Sequence, residues 1–141
     1  MESEIKIVSY NMHGFRQGSQ FLSELCGYND VILLQEHWLL PVDLDKLVLD
    51  DSFILFAASA MDDIISRGVL KGRPFGGTCI LVKKSLATKT KLLYKSSRLI
   101  AIMIDRVIVC CVYLPCSSVI GREDVFVDIV MCMSKILEDN D

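Results

Sequence analysis

Four short stretches carry residue types able to act on a phosphate. The first is Ser9-Tyr10-Asn11-Met12-His13-Gly14, at the end of a β-rich run. Its Asn11 offers an amide that can orient a phosphate or a metal-bound water. An Asn shortly before a glycine is also an ordinary turn residue. The second is Leu34-Gln35-Glu36-His37-Trp38, where Glu36 follows the wholly apolar run 31–34. A carboxylate beside such a run is costly unless it is paired or holds a cation. Mg²⁺ suits it, because that ion takes oxygen ligands, keeps several waters and uses one or two protein carboxylates. A solvated Glu at a strand end is the plainer alternative. His37 reads as a hydrogen-bonded rim residue ahead of a metal ligand. The third stretch is Arg73-Pro74-Phe75-Gly76-Gly77, whose glycines let backbone approach a phosphate while Arg73 and Lys71 supply charge. The fourth is Tyr113, just before Leu114-Pro115, whose phenol either reaches a phosphate oxygen or packs.

Strand ends must position these groups. Residues 4–11 alternate in a β-rich pattern, and 31–34 reads as a strand covered on both faces. Ser19 is placed to cap a short helix with Phe21, Leu22, Leu25 and Cys26 on its apolar face and Gly27 past its end. Pro41 opens a second short helix. Strands follow over 53–58 and 77–84, with a weaker edge strand within 86–94. Two strong strands, 98–104 and 106–114, flank Asp105 and predict a tight hairpin at Asp105-Arg106. From Gly121 onward Val125, Phe126, Ile129, Val130, Met133, Ile136 and Leu137 recur at helical spacing. Strands interleaved with helices and then hairpinned predict an α/β chain with a mixed sheet and helices on one side.

Composition bounds the alternatives. The 141 residues make one domain, 1–141, and a net charge of −3 excludes nucleic-acid binding by bulk charge alone. With 52% hydrophobic and 23% charged residues the chain is not a disordered tail. Mean hydropathy is +0.42. The longest apolar run is about half of the ~20 residues a membrane span needs. The first residues include Glu2, Glu4 and Lys6 where a secretory signal would be apolar, so the expected location is intracellular, cytoplasmic or nuclear, with no membrane partner. Six scattered cysteines form no C-x-x-C pair and read as reduced, mostly buried thiols.

In this order and context, YNMHG, LLQEHWL, GGTCILVKK and VYLP resemble the endonuclease/exonuclease/phosphatase superfamily of metal-dependent phosphodiesterases. Within it, SYNMHGF, LQEHWLL and GRPFGG look most like the endonuclease domain of non-LTR retrotransposon reverse transcriptases. The resemblance implies a DNase I-like four-layer α/β sandwich with Mg²⁺ at its top and DNA as the partner of the full-length domain. It makes Glu36 the metal-binding Glu, supported by Asn11, and Tyr113 the active-site Tyr. His13 and Arg73 become phosphate contacts, although many members carry Asn or Asp at the position of His13.

The superfamily continues past its last helix into a strand ending G-D-x-N and later an S-D-H motif, which carry the water-activating and phosphate-holding residues. Neither motif occurs here. The chain therefore reads as the N-terminal half of such a domain, mainly its first mixed sheet with helices, and as inactive by itself. The high hydropathy then reflects apolar faces that lack their cover. Both faces of 98–104 and of 106–114 are apolar. One row is accordingly expected to lie exposed, or to be buried by self-association. Two rival readings are a noncatalytic retroelement remnant or interaction protein, and a phosphatase or phosphodiesterase of the same superfamily with another substrate.

Overall fold

In a computed structural model, residues 4–61, 75–116 and 121–140 are described. Strands β1 (Ile7–Asn11), β2 (Val31–Gln35), β3 (Phe53–Ala58) and β4 (Thr78–Lys83) form one sheet in the order β1-β2-β4-β3. β1 runs parallel to β2, and β4 is antiparallel to both β2 and β3. The central pair is apolar on both faces, and residues 31–35 of β2 are buried throughout. Strands β5 (Thr90–Lys95), β6 (Leu99–Ile104) and β7 (Val107–Val112) form a second, antiparallel sheet. The β6–β7 hairpin closes on Asp105-Arg106, pairing Ile104 with Val107, as its sequence implies.

The layers follow from where each apolar row is buried. Helix α1 (Phe15–Cys26) and a 3-10 helix at Pro41–Leu47 cover one face of the first sheet, joining Leu22, Cys26 and Leu47 to Ile32, Leu34 and Leu81. Val31, Leu33, Ile80 and Val82 pack between the sheets against Ile100, Ile102, Ile104, Val109 and Cys111. Beyond the second sheet, helix α2 (Arg122–Asp139) sets Ile136, Cys132 and Met133 on Leu99 and Ala101. The result is a partial four-layer α/β sandwich: helix, sheet, sheet, helix.

Two expectations are corrected here. Neither row of β6 is bare: Ile100 and Ile102 meet the first sheet, Leu99 and Ala101 meet α2, and all four are buried. The cover comes from within the chain, because β5–β7 form a second sheet instead of extending the first. On β7 the expectation holds in part: Ile108, Cys110 and Val112 are only half-buried and Val107 is exposed. More uncovered apolar surface lies elsewhere. Ile5, just before β1, and Ile7 on it are exposed, while Phe126, Val127, Val130, Met131 and Leu137 are exposed on α2. The first helix also starts at Phe15, well before Ser19, with Gly14 as its N-cap. The N–H groups of Gly14 and Phe15 donate to the carbonyls of Glu36 and His37, so tertiary contact takes the place of a side-chain cap.

The cysteines are all free thiols, with Cys26, Cys79 and Cys111 buried. Among the described residues, no helix is long and apolar enough to cross a membrane.

Candidate active site

Glu36 is held by backbone on both sides. Its N–H donates to the Gly77 carbonyl at 2.9 Å, and its own carbonyl accepts from Gly14 at 2.8 Å. Trp38 N–H donates to Gly76 at 3.0 Å. The end of β2 is thereby stitched to the β1–α1 turn on one side and to the Gly76-Gly77 entry into β4 on the other. The geometry needs left-handed backbone: Glu36 has φ 56°, Trp38 58° and His13 51°. Such a conformation costs a non-glycine residue ~1–2 kcal/mol, and strain of this kind concentrates at functional sites. Its local effect is to break the strand alternation, so that Glu36 leaves the pleat at the mouth of the sandwich.

His37 is the buttress beneath this turn. It is fully buried. Its Nε2 lies 2.9 Å from the Ala58 carbonyl, and its Nδ1 accepts from Leu39 N–H at 3.0 Å. Those partners require the neutral tautomer with the proton on Nε2. Burial holds its pKa below the ordinary histidine value, against smaller opposing effects of backbone hydrogen bonds. Gly77, at φ +95°, passes so close that any Cβ there would overlap the imidazole.

Across the mouth, Tyr113 follows β7 of the second sheet. Its hydroxyl donates to Glu36 Oε1 at 3.0 Å, joining residues 77 apart in sequence. Burial raises the Tyr113 pKa. The adjacent Glu36 carboxylate, which accepts the phenolic proton, raises it further, and Arg98 opposes both. Tyr113 is therefore a phenol donor at neutral pH. The Arg98 guanidinium carbon stands 5.4 Å from the Tyr113 ring centroid, with Nη1 donating to the Tyr113 carbonyl at 3.4 Å. Glu36, Gly76, Gly77, Arg98 and Tyr113 line an open cleft of about 160 Å³.

Arg98 was not among the candidate residues of the sequence. The signal was present: a hairpin at Asp105-Arg106 that pairs Leu99 with Val112 puts Arg98 opposite Tyr113. Asn11 ends β1 beside Gln35, at the same end of the first sheet as Glu36. Its Oδ1 accepts from His13 N–H at 3.1 Å, and it does not line the Glu36 cleft. His13 is exposed and lies against Trp38, ring centroids 4.9 Å apart. Arg73 lies outside the described residues. Of the three, only Glu36 and Tyr113 touch; Asn11 shares an end of the first sheet with Glu36 but not its cleft, and Tyr113 comes from the second sheet.

Among the described residues, no group of three or more His, Cys, Asp or Glu side chains could hold a metal. Glu36 is the one carboxylate among the residues that line the cleft, and the Asn11 amide lies outside it.

The architecture is that of the DNase I-like α/β sandwiches. Among solved structures the chain is similar to the AP endonuclease LMAP from Leishmania major, with a TM-score of 0.58, 14% identity, and coverage of 82% of this chain and 41% of that one. It is also similar to TDP2 from D. rerio, complexed with single-strand DNA product, with a TM-score of 0.52, 20% identity, and coverage of 95% and 56%. The chain thus spans about half the length of these structures. No family model matches the sequence, and no curated protein does.

Proposed function

We propose that this chain is the N-terminal portion of a Mg²⁺-dependent phosphodiester endonuclease acting on DNA, and that alone it is inactive. The observation that carries the reading is the hydrogen bond from Tyr113 to Glu36 at the mouth between the two sheets. It joins an acceptor suited to a hard cation with a donor suited to a phosphate oxygen, beside the guanidinium of Arg98. Glu36 would hold the cation and Asn11 would orient the phosphate or a cation-bound water. When bound, Mg²⁺ would neutralise charge developing on the phosphate. Tyr113 keeps its proton and can redirect it from Glu36 to a phosphate oxygen; Arg98 supplies positive charge alongside. The motifs SYNMHGF and LQEHWLL support a non-LTR retrotransposon endonuclease within this class. The single-strand DNA product held by the D. rerio TDP2 structure supports DNA as the substrate here.

The residues expected to activate the attacking water belong to motifs that this sequence does not contain. A general base contributes ~10²–10⁴-fold. The purified chain with Mg²⁺ should therefore nick supercoiled plasmid no faster than Glu36→Gln does. In parallel, the free Mn²⁺ signal in electron paramagnetic resonance should fall on adding the chain and recover with Glu36→Gln. Mn²⁺ binding indifferent to Glu36 would overturn the metal role. Nicking that Glu36→Gln abolishes would overturn the inactivity.

A further inference from the structure

Charge is unevenly spread along this chain. Nine of its fifteen Lys and Arg residues, and none of its eighteen Asp and Glu residues, fall between 64 and 104. Among the described residues the cations of that stretch are Lys83, Lys84, Lys89, Lys91, Lys95 and Arg98. They follow one path: the end of β4, the 3-10 helix at Lys84–Lys89, then β5, an edge strand of the second sheet, and the turn into β6. The path ends at the cleft, because Arg98 lines it beside Glu36 and Tyr113. The turn is fixed there by the Thr78 hydroxyl of β4, which donates to the Ser96 carbonyl at 2.7 Å. Lys84, Lys89, Lys91 and Lys95 are exposed. Lys83 and Lys89 have only long pairings, to Asp30 at 3.8 Å and to Asp105 at 3.9 Å. Lys84, Lys91 and Lys95 meet no carboxylate within 4 Å among the described residues. Edge strands carry lysines to discourage pairing with other strands, which accounts for Lys91 and Lys95. It does not account for Lys84 ahead of the strand, for Arg98 at the cleft, or for the exclusion of every carboxylate. An ordinary solvated surface intersperses both signs. Helix α2 has the opposite balance, with Glu123, Asp124, Asp128, Glu138 and Asp139 against Arg122 and Lys135.

We propose that the β5 edge, from Lys84 to Arg98, is a track for the phosphate backbone of duplex DNA outside the cleft. The inference rests on the phosphodiesterase reading above and extends it from the phosphate at Glu36 to the flanking duplex. Charges farther apart than about 10 Å are screened at ~0.1 M salt. A phosphate on this edge therefore meets the local cations and not the net charge of −3. Lys91 and Lys95 are four residues apart on β5, about 13 Å at the rise of an antiparallel strand. That span matches about four phosphates along one strand of a duplex. Each cation that neutralises a phosphate releases a condensed counterion, so binding on this edge weakens steeply with salt.

Anisotropy of a fluorescein-labelled blunt DNA duplex, measured across a potassium chloride series, reads the track. The triple variant Lys84→Gln, Lys91→Gln, Lys95→Gln should flatten the slope of log K against log salt by about 2–3, since each lost contact on B-DNA removes ~0.9. Its affinity near ~0.1 M salt should fall tenfold or more. The control triple Lys6→Gln, Lys46→Gln, Lys135→Gln removes the same charge elsewhere and should keep the wild-type slope. Equal losses in the two triples would overturn the track in favour of bulk charge. Absence of duplex binding by the wild-type chain at ~50 mM salt would overturn it as well. Poly-L-glutamate that displaces the duplex as well as unlabelled DNA does would assign the edge to acidic proteins instead. The two readings fail separately. An unchanged slope with Glu36-dependent Mn²⁺ binding overturns the track alone, and a flattened slope with Mn²⁺ binding indifferent to Glu36 overturns the metal role alone.

Discussion

β6 and β1 are both short strands with β-branched residues, yet they sit in opposite surroundings. β6 is central in its sheet and roofed on each face, so Ile100 and Ile102 meet the first sheet while Leu99 and Ala101 meet α2. β1 is an edge strand; α1 and its neighbours cover only the row of Val8 and Tyr10, leaving Ile7, Ser9 and Asn11 exposed on the other side. Register shows why. Ile7 and Ser9 pair with Val31 and Leu33, which face the second sheet. The three strands of that sheet roof β2, β3 and β4, and β1 lies beyond them. The same inward-facing row is therefore core under β2 and surface under β1. The difference teaches that apolar sequence reports a demand for cover, and that topology decides which strand receives it.

The sharpest test of this contrast is truncation of one isoleucine on each strand. Ile102 is 0% exposed and Ile7 is 46% exposed. Ile102→Ala should cost about 2–5 kcal/mol through lost burial and a residual cavity. Ile7→Ala should cost less than about 1 kcal/mol. Urea denaturation of both variants measures the gap; similar losses would mean that β1 is covered in solution.

The turn at the end of β2 invites the next test, because it is built on exclusion of side chains. Gly77→Ala places a Cβ on the His37 ring and forces an L-residue to φ +95°. Left-handed strain of ~1–2 kcal/mol and overpacking of ~1–3 kcal/mol together predict a loss of roughly 2–5 kcal/mol. Gly121→Ala, with φ +75° and open space around it, should show only the strain. Equal losses at the two glycines would deny His37 its place against Gly77.

A smaller effect comes from His37 itself. Its folded pKa is lowered, chiefly by burial. In the unfolded chain it takes a proton near about pH 6.5, and in the folded chain only at lower pH. Between those values the unfolded state binds more protons, so stability falls as pH drops below about 6.5 and levels off beneath the folded pKa. Protonation would also set an Nδ1–H against the Leu39 N–H that now donates to it. Urea midpoints followed from neutral to mildly acidic pH should decline, and His37→Gln should remove part of that decline. An unchanged decline in His37→Gln would show that the imidazole is not held neutral.

Much of this arrangement is legible in the sequence, and the failures have particular causes. The β6–β7 hairpin is explicit, because two apolar runs flank Asp105-Arg106 and nothing competes with that pairing. The place of Glu36 just past a strand end is legible, because the apolar run 31–34 closes shortly before it. The demand of β6 for cover on both faces is legible too, but the identity of the cover is not. Alternation along a strand cannot say whether the next layer is another sheet or another molecule. Ser19 misleads because hydroxyl capping is only one way to satisfy helix N–H groups, and here carbonyls from the end of β2 do so. The left-handed backbone of Glu36 and Trp38 leaves no composition signal, since neither is a glycine or an asparagine.

The smallest expected effect on stability belongs to the other uncovered surface, the outer side of α2. Ile129 and Ile136 are its buried residues, while Val127 and Met131 are 50% and 64% exposed. Replacing exposed residues changes stability within about ±0.5 kcal/mol. Val127→Lys also places a cation four residues after Glu123, a helical pair worth ~0.2–0.5 kcal/mol. The double variant Val127→Lys, Met131→Gln should therefore unfold at nearly the wild-type urea concentration. Its solution behaviour should differ, because exposed apolar patches drive association while contributing little to the isolated fold. Light scattering should show larger species for the wild-type chain and a shift toward monomer for the variant. Persistence of those species in the variant would place the contact on the Ile5 and Ile7 row instead. Ile7→Lys would then be the substitution that disperses them, and the β1 edge, not α2, would be the surface that seeks a partner.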